Sequence, residues 1–160
     1  MYQQLLCIQM SLEEDIKSTV KIDERQKTVI NLIYTHNWLK EQTQGFFKDY
    51  DLSAEQYNVL RILRGQKGNP ANLSTIQERM LNKMSNTTRL IDKLLKKDLV
   101  TRQTCPTNRR KVEILITNKG LTLLSELDSI VTSSNENITK QLNISELETL
   151  NQLLDKLRTH

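Results

Sequence analysis

The stretch from Ser85 to Lys119 carries the side chains best suited to contact a nucleic acid. Asn86, Thr88 and Arg89 stand close together where a helix is expected to begin. Amide, hydroxyl and guanidinium groups at such a position can bind phosphates or base edges, and the free backbone N–H groups of the first helical turn point the same way. Asn suits adenine and Arg suits guanine in the major groove. The pattern predicts a helix whose N-terminal end contacts DNA.

Positive charge is concentrated in the same stretch. Residues 85–117 include eight basic and three acidic side chains, a net charge of +5, whereas the whole chain of 160 residues carries +4. The remainder is therefore close to neutral, and a local basic patch is typical of nucleic-acid binding. A solvated helix face followed by a charged turn would explain the charge alone equally well.

Nine polar or basic side chains form the predicted DNA-binding set. They are Ser85, Asn86, Thr88, Arg89, Lys93, Arg102, Arg109, Arg110 and Lys111. For Ser85 a purely structural role, capping the helix, is as well supported as DNA contact. For Arg89, Arg109 and Arg110 a DNA contact is the better interpretation, because each lies on a predicted exposed face or at a hairpin tip.

Hydrophobic spacing indicates the elements that hold this set. Ile91, Leu94 and Leu95 recur at helical spacing and predict an amphipathic helix that Ser85 caps. After Asp98 the residues become β-branched and extended in character, with strands expected at 99–102 and 112–117 around a basic turn at 104–111. The stretch is therefore predicted to form one helix followed by a β-hairpin.

Further helices are expected on both sides of this hairpin unit. A long helix is predicted from Glu24 to Phe47, and Thr117 is expected to open another long one. Four capping boxes predict further helix starts, at Ser11, Ser53, Ser74 and Ser145. Two short helices, a tight turn and a hairpin describe a winged helix-turn-helix. The expected fold is mainly α with a small β-hairpin wing, flanked by N- and C-terminal dimerisation helices.

Composition narrows the class of protein. Hydrophobic residues make up 37% and aromatic residues 4% of the chain, so a monomer would have a thin core and a homodimer is expected. The two histidines, His36 and His160, form no catalytic or zinc pattern, and Cys7 and Cys105 are too far apart for a disulfide framework. We therefore expect no enzyme, cofactor or metal. No apolar run is long enough to cross a membrane and no signal peptide is evident, which favours a cytoplasmic protein.

From Glu24 to Leu157 the sequence resembles the MarR family of transcriptional regulators. The clearest motif is Ser85-x-Thr87-x-Arg89-Leu90-Ile91-Asp92-x-Leu94. It is followed by Leu99-Val100-x-Arg102, by Asn108-Arg109-Arg110 and by Thr117-x-Lys119-Gly120. Leu52-Ser53-x-x-Gln56-Tyr57 looks like the start of that family's second helix. Two positions depart from the family pattern: Asn108 stands where Asp is usual in the wing, and Asp98 where the recognition helix often ends in Gly.

The resemblance implies a division of roles along the chain. Residues 1–50 and 118–160 would supply dimerisation helices, and residues 51–117 the winged helix-turn-helix that binds double-stranded DNA. Recognition helices would enter successive major grooves, with the wings in the flanking minor grooves. The function implied is a sequence-specific, ligand-responsive repressor that binds an inverted-repeat operator as a homodimer.

The signal to which such a regulator would respond is less clearly indicated by the sequence. A small-molecule effector could contact Tyr34, Trp38 and Tyr57, although core packing is the simpler role for such aromatic residues. A redox-sensing regulator of the same fold would use Cys7 or Cys105, neither of which has an evident thiolate-stabilising site. A protein-interaction module that has lost DNA binding is the alternative from a different class.

Overall fold

The computed structural model describes residues 11–105 and 108–159, with the backbone alone at Gln44, Cys105 and 108–111. The chain divides after Gln42 into two compact units. The elements, in order, are α1 (Leu12–Asp15), α2 (Glu24–Gln44), α3 (Ala54–Arg64), α4 (Leu73–Arg79), α5 (Thr87–Leu95), β1 (Val100–Cys105), β2 (Asn108–Ile116), α6 (Asn118–Thr139) and α7 (Ile144–Leu157). This confirms the mainly helical fold with one hairpin.

The first unit contains α1 and most of α2. Ser11 caps α1, and Glu14 returns the bond by accepting from the Ser11 N–H at 2.7 Å, so the predicted capping box is present. Glu13 and Lys27 form an ion pair of 2.8 Å that joins the two helices. The hydrogen bond from Lys27 lowers the pKa of Glu13, and the same bond raises the pKa of Lys27.

The second unit is built around one apolar core. Five of its elements, α3, α4, α5, β2 and α6, each contribute side chains that are completely buried. Those with no exposed surface are Val59, Leu60, Ile76, Ile91, Leu94, Ile114, Leu124 and Leu127. Since α5 and β2 share this core, burial of apolar surface fixes the hairpin against the helix that carries the candidate DNA contacts.

Helix starts agree with the capping prediction at some positions and differ at others. Ser53 and Thr117 cap α3 and α6 as predicted. The predicted caps Ser74, Ser85 and Ser145 are wrong. The residues that cap α4, α5 and α7 are Asn72, Asn86 and Asn143. Asn accepts the bond from the third helical N–H as well as Ser does. The residue that caps each helix is therefore the one that lets the helix begin where its apolar side chains face the core.

The hairpin is longer than the sequence suggested. β1 and β2 pair antiparallel from Val100 opposite Ile116 to Thr104 opposite Val112, and then the register jumps so that Cys105 lies opposite Asn108. Residues 109–111 therefore belong to a strand rather than to the turn predicted at 104–111. In the described pairing the register jump leaves residues 109–111 opposite no residue of β1, so they form the longer side of a bulge.

Two backbone contacts hold the hairpin against the helices. Ala71, just before α4, exchanges both backbone hydrogen bonds with Ile114 of β2, at 3.0 and 2.8 Å. At the base of the hairpin, a Cβ on Gly120 would collide with the carbonyl oxygen of Leu99 and lie 2.8 Å from the Ile116 side chain. The first turn of α6 can approach this closely only with glycine.

The turn that ends the recognition helix uses an unusual backbone conformation. Asp98 has φ of +58°, in the left-handed region that disfavours most residues with a side chain. Its carbonyl oxygen accepts a bond of 2.8 Å from the Thr117 hydroxyl, which ties the turn to the start of α6. Asp tolerates this conformation better than most residues with a side chain, so it can stand where the resemblance led us to expect glycine.

Candidate DNA-binding surface

Helix α5 follows α4 after a short turn and forms the second helix of a helix-turn-helix. Its buried face is Thr87, Ile91 and Leu94, while Thr88, Arg89 and Lys93 are exposed. The Thr87 hydroxyl donates to the side-chain oxygen of Gln77 on α4, so the two helices are joined by a polar contact as well as by the core. This arrangement directs a row of polar and basic side chains away from the protein.

The N-terminal end of α5 differs from the prediction in one detail. Asn86 caps the helix by accepting from the Arg89 N–H at 3.0 Å, which leaves the amide NH₂ of Asn86 without a partner among the described residues. The hydroxyl oxygen of Ser85 is buried, and no described group bonds to it. Asn86 is thus placed to donate to a ligand, whereas the Ser85 hydroxyl points away from solvent.

Arg89 and Lys93 lie one turn apart on the exposed face of α5. Neither side chain forms a hydrogen bond or an ion pair with any residue that the structure describes. Both line an open cleft of about 390 Å³ between α5 and the beginning of α3, together with Asn82 and Asn86. Asn82, in the turn before α5, was not singled out from the sequence, because a lone Asn in a turn carries no specific signal.

A second cleft continues the basic surface along α5. It has a volume of about 420 Å³ and is lined by Lys93, Lys96 and Lys97, with Asp51 on the opposite side. Lys97 pairs with Asp51 at 2.8 Å, and that hydrogen bond lowers the pKa of Asp51. One lysine is thus neutralised, while two remain to give the cleft a positive charge.

Arg102 has a structural contact that the sequence did not reveal. Its guanidinium group donates to Asp92 on α5 at 2.9 Å, so the ion pair joins β1 to the recognition helix. The side chain is still exposed. Direct contact of Arg102 with DNA stays a prediction, and its bond to Asp92 gives it a second role in positioning the hairpin.

The remaining basic candidates lie on the hairpin. Arg109, Arg110 and Lys111 belong to β2, on the segment where the pairing register jumps. Their side chains lie outside the described part of the structure, so contact of these three residues with DNA stays a prediction. The backbone places them between Asn108, at the tip end of β2, and Val112.

The candidate ligand residues fall in two different units. In the first unit, Tyr34 and Trp38 line one open cleft of about 350 Å³ with Asp15, Asn31 and Thr35. In the second unit, Tyr57 is buried, with its ring centroid 4.7 Å from that of Phe47 and the Arg61 guanidinium 5.9 Å above it. Core packing, the simpler alternative, is therefore observed for Tyr57.

Other kinds of site find no support in the described residues. Across 11–105 and 108–159, no group of His, Cys, Asp and Glu side chains is arranged to hold a metal ion. Among the described helices, none is both long and apolar enough to cross a membrane. Cys7 and the side chain of Cys105 lie outside the description, so redox sensing is not tested.

Comparison with known proteins identifies the family. The sequence profile of the MarR family matches residues 52–112, from just before α3 into β2. A MarR transcription factor from Planctomyces limnophilus is 33% identical, with a TM-score of 0.66 over 85% of this chain and 98% of that one. The chain belongs to the MarR family. The resemblance drawn from the recognition-helix and wing motifs is thereby confirmed.

Two further solved structures share the fold at lower identity. BpsR from Bordetella bronchiseptica, whose DNA binding is regulated by 6-hydroxynicotinic acid, is 21% identical, with a TM-score of 0.77 over 88% of this chain and 99% of its own. A mutant MarR from E. coli, solved in complex with operator DNA, is 24% identical, with a TM-score of 0.73 over 82% of this chain and 94% of its own. The winged helix is common to all three.

Proposed function

We propose that this MarR-family protein is a sequence-specific DNA-binding repressor that acts in the cytoplasm as a homodimer. The observation that carries the proposal is the exposed face of α5. The Asn86 amide at its N-terminal end, Arg89 and, in the last turn, Lys93 line one cleft there, and these groups donate no hydrogen bond and form no ion pair with the described residues. Unpaired donors and cations at a helix N-terminus suit an anionic, hydrogen-bonding ligand. The operator complex of the E. coli relative supports duplex DNA as that ligand.

In this proposal the two ends of the basic surface have different tasks. Arg89 reaches a base edge in the major groove, where its planar fork can donate two bonds to the N7 and O6 acceptors of guanine. Lys93, Lys96 and the wing residues Arg109, Arg110 and Lys111 contact phosphates or a narrow minor groove, where charge matters more than base identity. Thr88 and Arg102 complete the proposed DNA-binding set, together with Ser85, whose buried hydroxyl would have to rotate outward to reach DNA.

Dimerisation is assigned to residues 1–50 and 118–160, and DNA binding to residues 51–117. The apolar residues Ile144, Leu150, Leu153 and Leu157 of α7 are exposed in the single chain, which supports burial against a second copy. A two-fold dimer presents two identical recognition helices, so its operator is an inverted repeat.

A small-molecule effector is proposed to release the repressor from DNA. Regulation of BpsR by 6-hydroxynicotinic acid supports this in a protein of the same fold. Tyr34, Trp38 and Tyr57 stay the proposed ligand residues. The cleft at Tyr34 and Trp38 is the better supported location, because Tyr57 is occupied in the core.

The test is fluorescence anisotropy with labelled random duplex DNA across a salt series. We expect affinity to fall steeply with salt, because counterions are released for every phosphate that the protein neutralises. A double variant, Arg109→Ala/Arg110→Ala, should bind all duplexes more weakly. Its salt slope should be smaller by about one for each phosphate that the wing no longer neutralises.

The matched control removes two lysines of the C-terminal region, Lys140→Ala/Lys156→Ala, with the same change in net charge. It should keep the parent's salt slope. Wing variants with unchanged affinity and slope would remove the wing from the proposal. A parent protein with no salt-sensitive binding would contradict DNA binding and favour the protein-interaction module.

A further inference from the structure

Two apolar side chains project into solvent from the turn between α4 and α5. Leu81 is 87% exposed and Met84 is 92% exposed, more than any other large apolar side chain in the described structure. Helix α4 ends at Arg79, and Met80 fills the core position, so the chain leaves the core at Leu81.

The turn that carries them is held by several hydrogen bonds. The Leu81 N–H donates to the side-chain oxygen of Asn58 on α3 at 2.9 Å, and the Met84 N–H donates to that of Asn82 at 3.0 Å. Gln77 of α4 donates to the Lys83 carbonyl oxygen at 2.7 Å. The backbone therefore holds these two side chains at defined positions rather than on a loose loop.

Met84 lies next to the N-terminal end of the recognition helix. It precedes the cap residue Asn86 by two positions, and the sequence around it carries the polar or basic residues Lys83, Asn86 and Arg89. The N-terminal residues of a recognition helix contact base edges in the major groove. The thymine C5-methyl group is the apolar feature of those edges. Basic neighbours favour a nucleic acid over an apolar protein surface as the occupant.

We propose that Met84 packs against the C5-methyl group of a thymine in each operator half-site and so contributes to sequence specificity. The inference rests on the proposed function, because it needs α5 in the major groove. An unbranched thioether side chain can adapt to a methyl group beside polar contacts. Arg89 and Asn86 would supply hydrogen-bond recognition, and Met84 would add the apolar part.

The experiment uses the full-length protein and an operator that it selects from random duplexes. Each thymine of one half-site is replaced by uracil, which lacks the methyl group and keeps every hydrogen-bonding atom. We expect one replacement to weaken binding by about fourfold, the effect of losing one buried methyl group. In the Met84→Ala variant the same replacement should have no effect.

Leu81→Ala is the matched control, since Leu81 is similarly exposed but lies at the α4 end of the turn. It should keep the parent's preference for thymine over uracil. Three results would overturn the assignment to Met84. The parent could bind thymine and uracil operators equally well, the selected half-site could contain no thymine, or Leu81→Ala could lose the preference for thymine as completely as Met84→Ala. Loss of DNA binding altogether would instead contradict the proposed function.

Discussion

Arg89 is the residue on which base recognition depends in our proposal. Its guanidinium group has no described partner, so the free protein has no competing bond to break. We expect Arg89→Ala to lose about 1–3 kcal/mol of binding to the operator and to flatten the discrimination between operator and scrambled DNA. Anisotropy on both duplexes measures this.

The control for Arg89 is its neighbour Lys93. A lysine acts as a point charge on phosphate, so Lys93→Ala should weaken binding to operator and scrambled duplexes by the same factor. If Arg89→Ala also weakens both equally, Arg89 contacts the phosphate backbone and the base-reading assignment is wrong.

The left-handed backbone conformation of Asp98 can be tested by measuring the stability of variants at that position. With φ of +58°, glycine in its place should remove steric cost, and the loss of an exposed carboxylate 4.0 Å from Lys119 should matter little. Asp98→Gly should raise the free energy of unfolding by up to about 1 kcal/mol. Asp98→Val should lower it, because a β-branched side chain is strained there. Urea denaturation measures the free energy of unfolding of both variants. A Val variant as stable as the parent would contradict backbone strain at position 98.

At this scale the sequence indicated residue types better than individual roles. It placed Asn86, Thr88 and Arg89 at an exposed helix start, because amphipathic spacing is a local signal. It predicted Ser85 as the cap where the structure has Asn86, because both side chains suit the position and tertiary packing selects the register. The bond between Arg102 and Asp92 depends on how the hairpin folds back, which no local pattern encodes.

Among the elements, α3 and α6 are joined by a bidentate ion pair. Arg64 donates to both carboxylate oxygens of Asp128, at 2.7 and 3.0 Å. These bonds lower the pKa of Asp128 and raise that of Arg64. Because the two side chains are 34% and 47% exposed, solvent screening limits the contribution to roughly 1 kcal/mol or less.

The lowered pKa of Asp128 fixes the direction of its pH dependence. Its contribution to stability is present above the ordinary Asp pKa of about 4 and is lost as the pH falls through the lowered folded-state value. Asp128→Asn should therefore lower the free energy of unfolding at pH 7 and have little effect at strongly acidic pH. The control Asp155→Asn, in the exposed pair with Arg158 at the end of α7, should change stability less than Asp128→Asn does at pH 7, and both should have little effect at strongly acidic pH.

Urea denaturation at the two pH values tests this pair. A difference between parent and Asp128→Asn that persists unchanged at acidic pH would show that the ion pair is not its source.

The order of the elements around the hairpin was predictable, but their mutual contacts were not. Helix α5 and the two strands follow from apolar spacing and from the change of period after Asp98. The register jump near the tip depends on a bulge that the alternation of residues does not indicate. The contact between Ala71 and Ile114 joins segments distant in the chain. Ala71 lies in a polar segment after Asn69 and Pro70, where local pattern gives no sign of a sheet contact.

For the whole molecule, the exposed face of α7 argues for association. Leu150, Leu153 and Leu157 are 44%, 59% and 59% exposed in the single chain, and a monomer would leave this surface in water. Leu153→Asp should place a charge in the proposed interface and shift a dimer toward monomer. Sedimentation velocity at micromolar concentration measures the change.

Gln152→Asp is the control for the dimer, because it adds the same charge at the neighbouring exposed position. It should leave the sedimentation coefficient unchanged. A Leu153→Asp protein that sediments as the parent does would exclude this face from the interface. The low hydrophobic content of the sequence predicted association of two chains. The candidate interface, however, is indicated only by the exposed leucines of α7 in the structure.

The two backbone hydrogen bonds between Ala71 and Ile114 constrain the spacing of contact sites on a bound operator. They attach the hairpin to the segment that starts α4, so the wing and the recognition helix keep a fixed separation. One added base pair lengthens DNA by about 3.4 Å and rotates it by about 35°. A rigid protein cannot follow both changes at once. In the proposed complex, the spacing between base contacts and wing contacts is therefore specified even where no side chain touches the intervening bases.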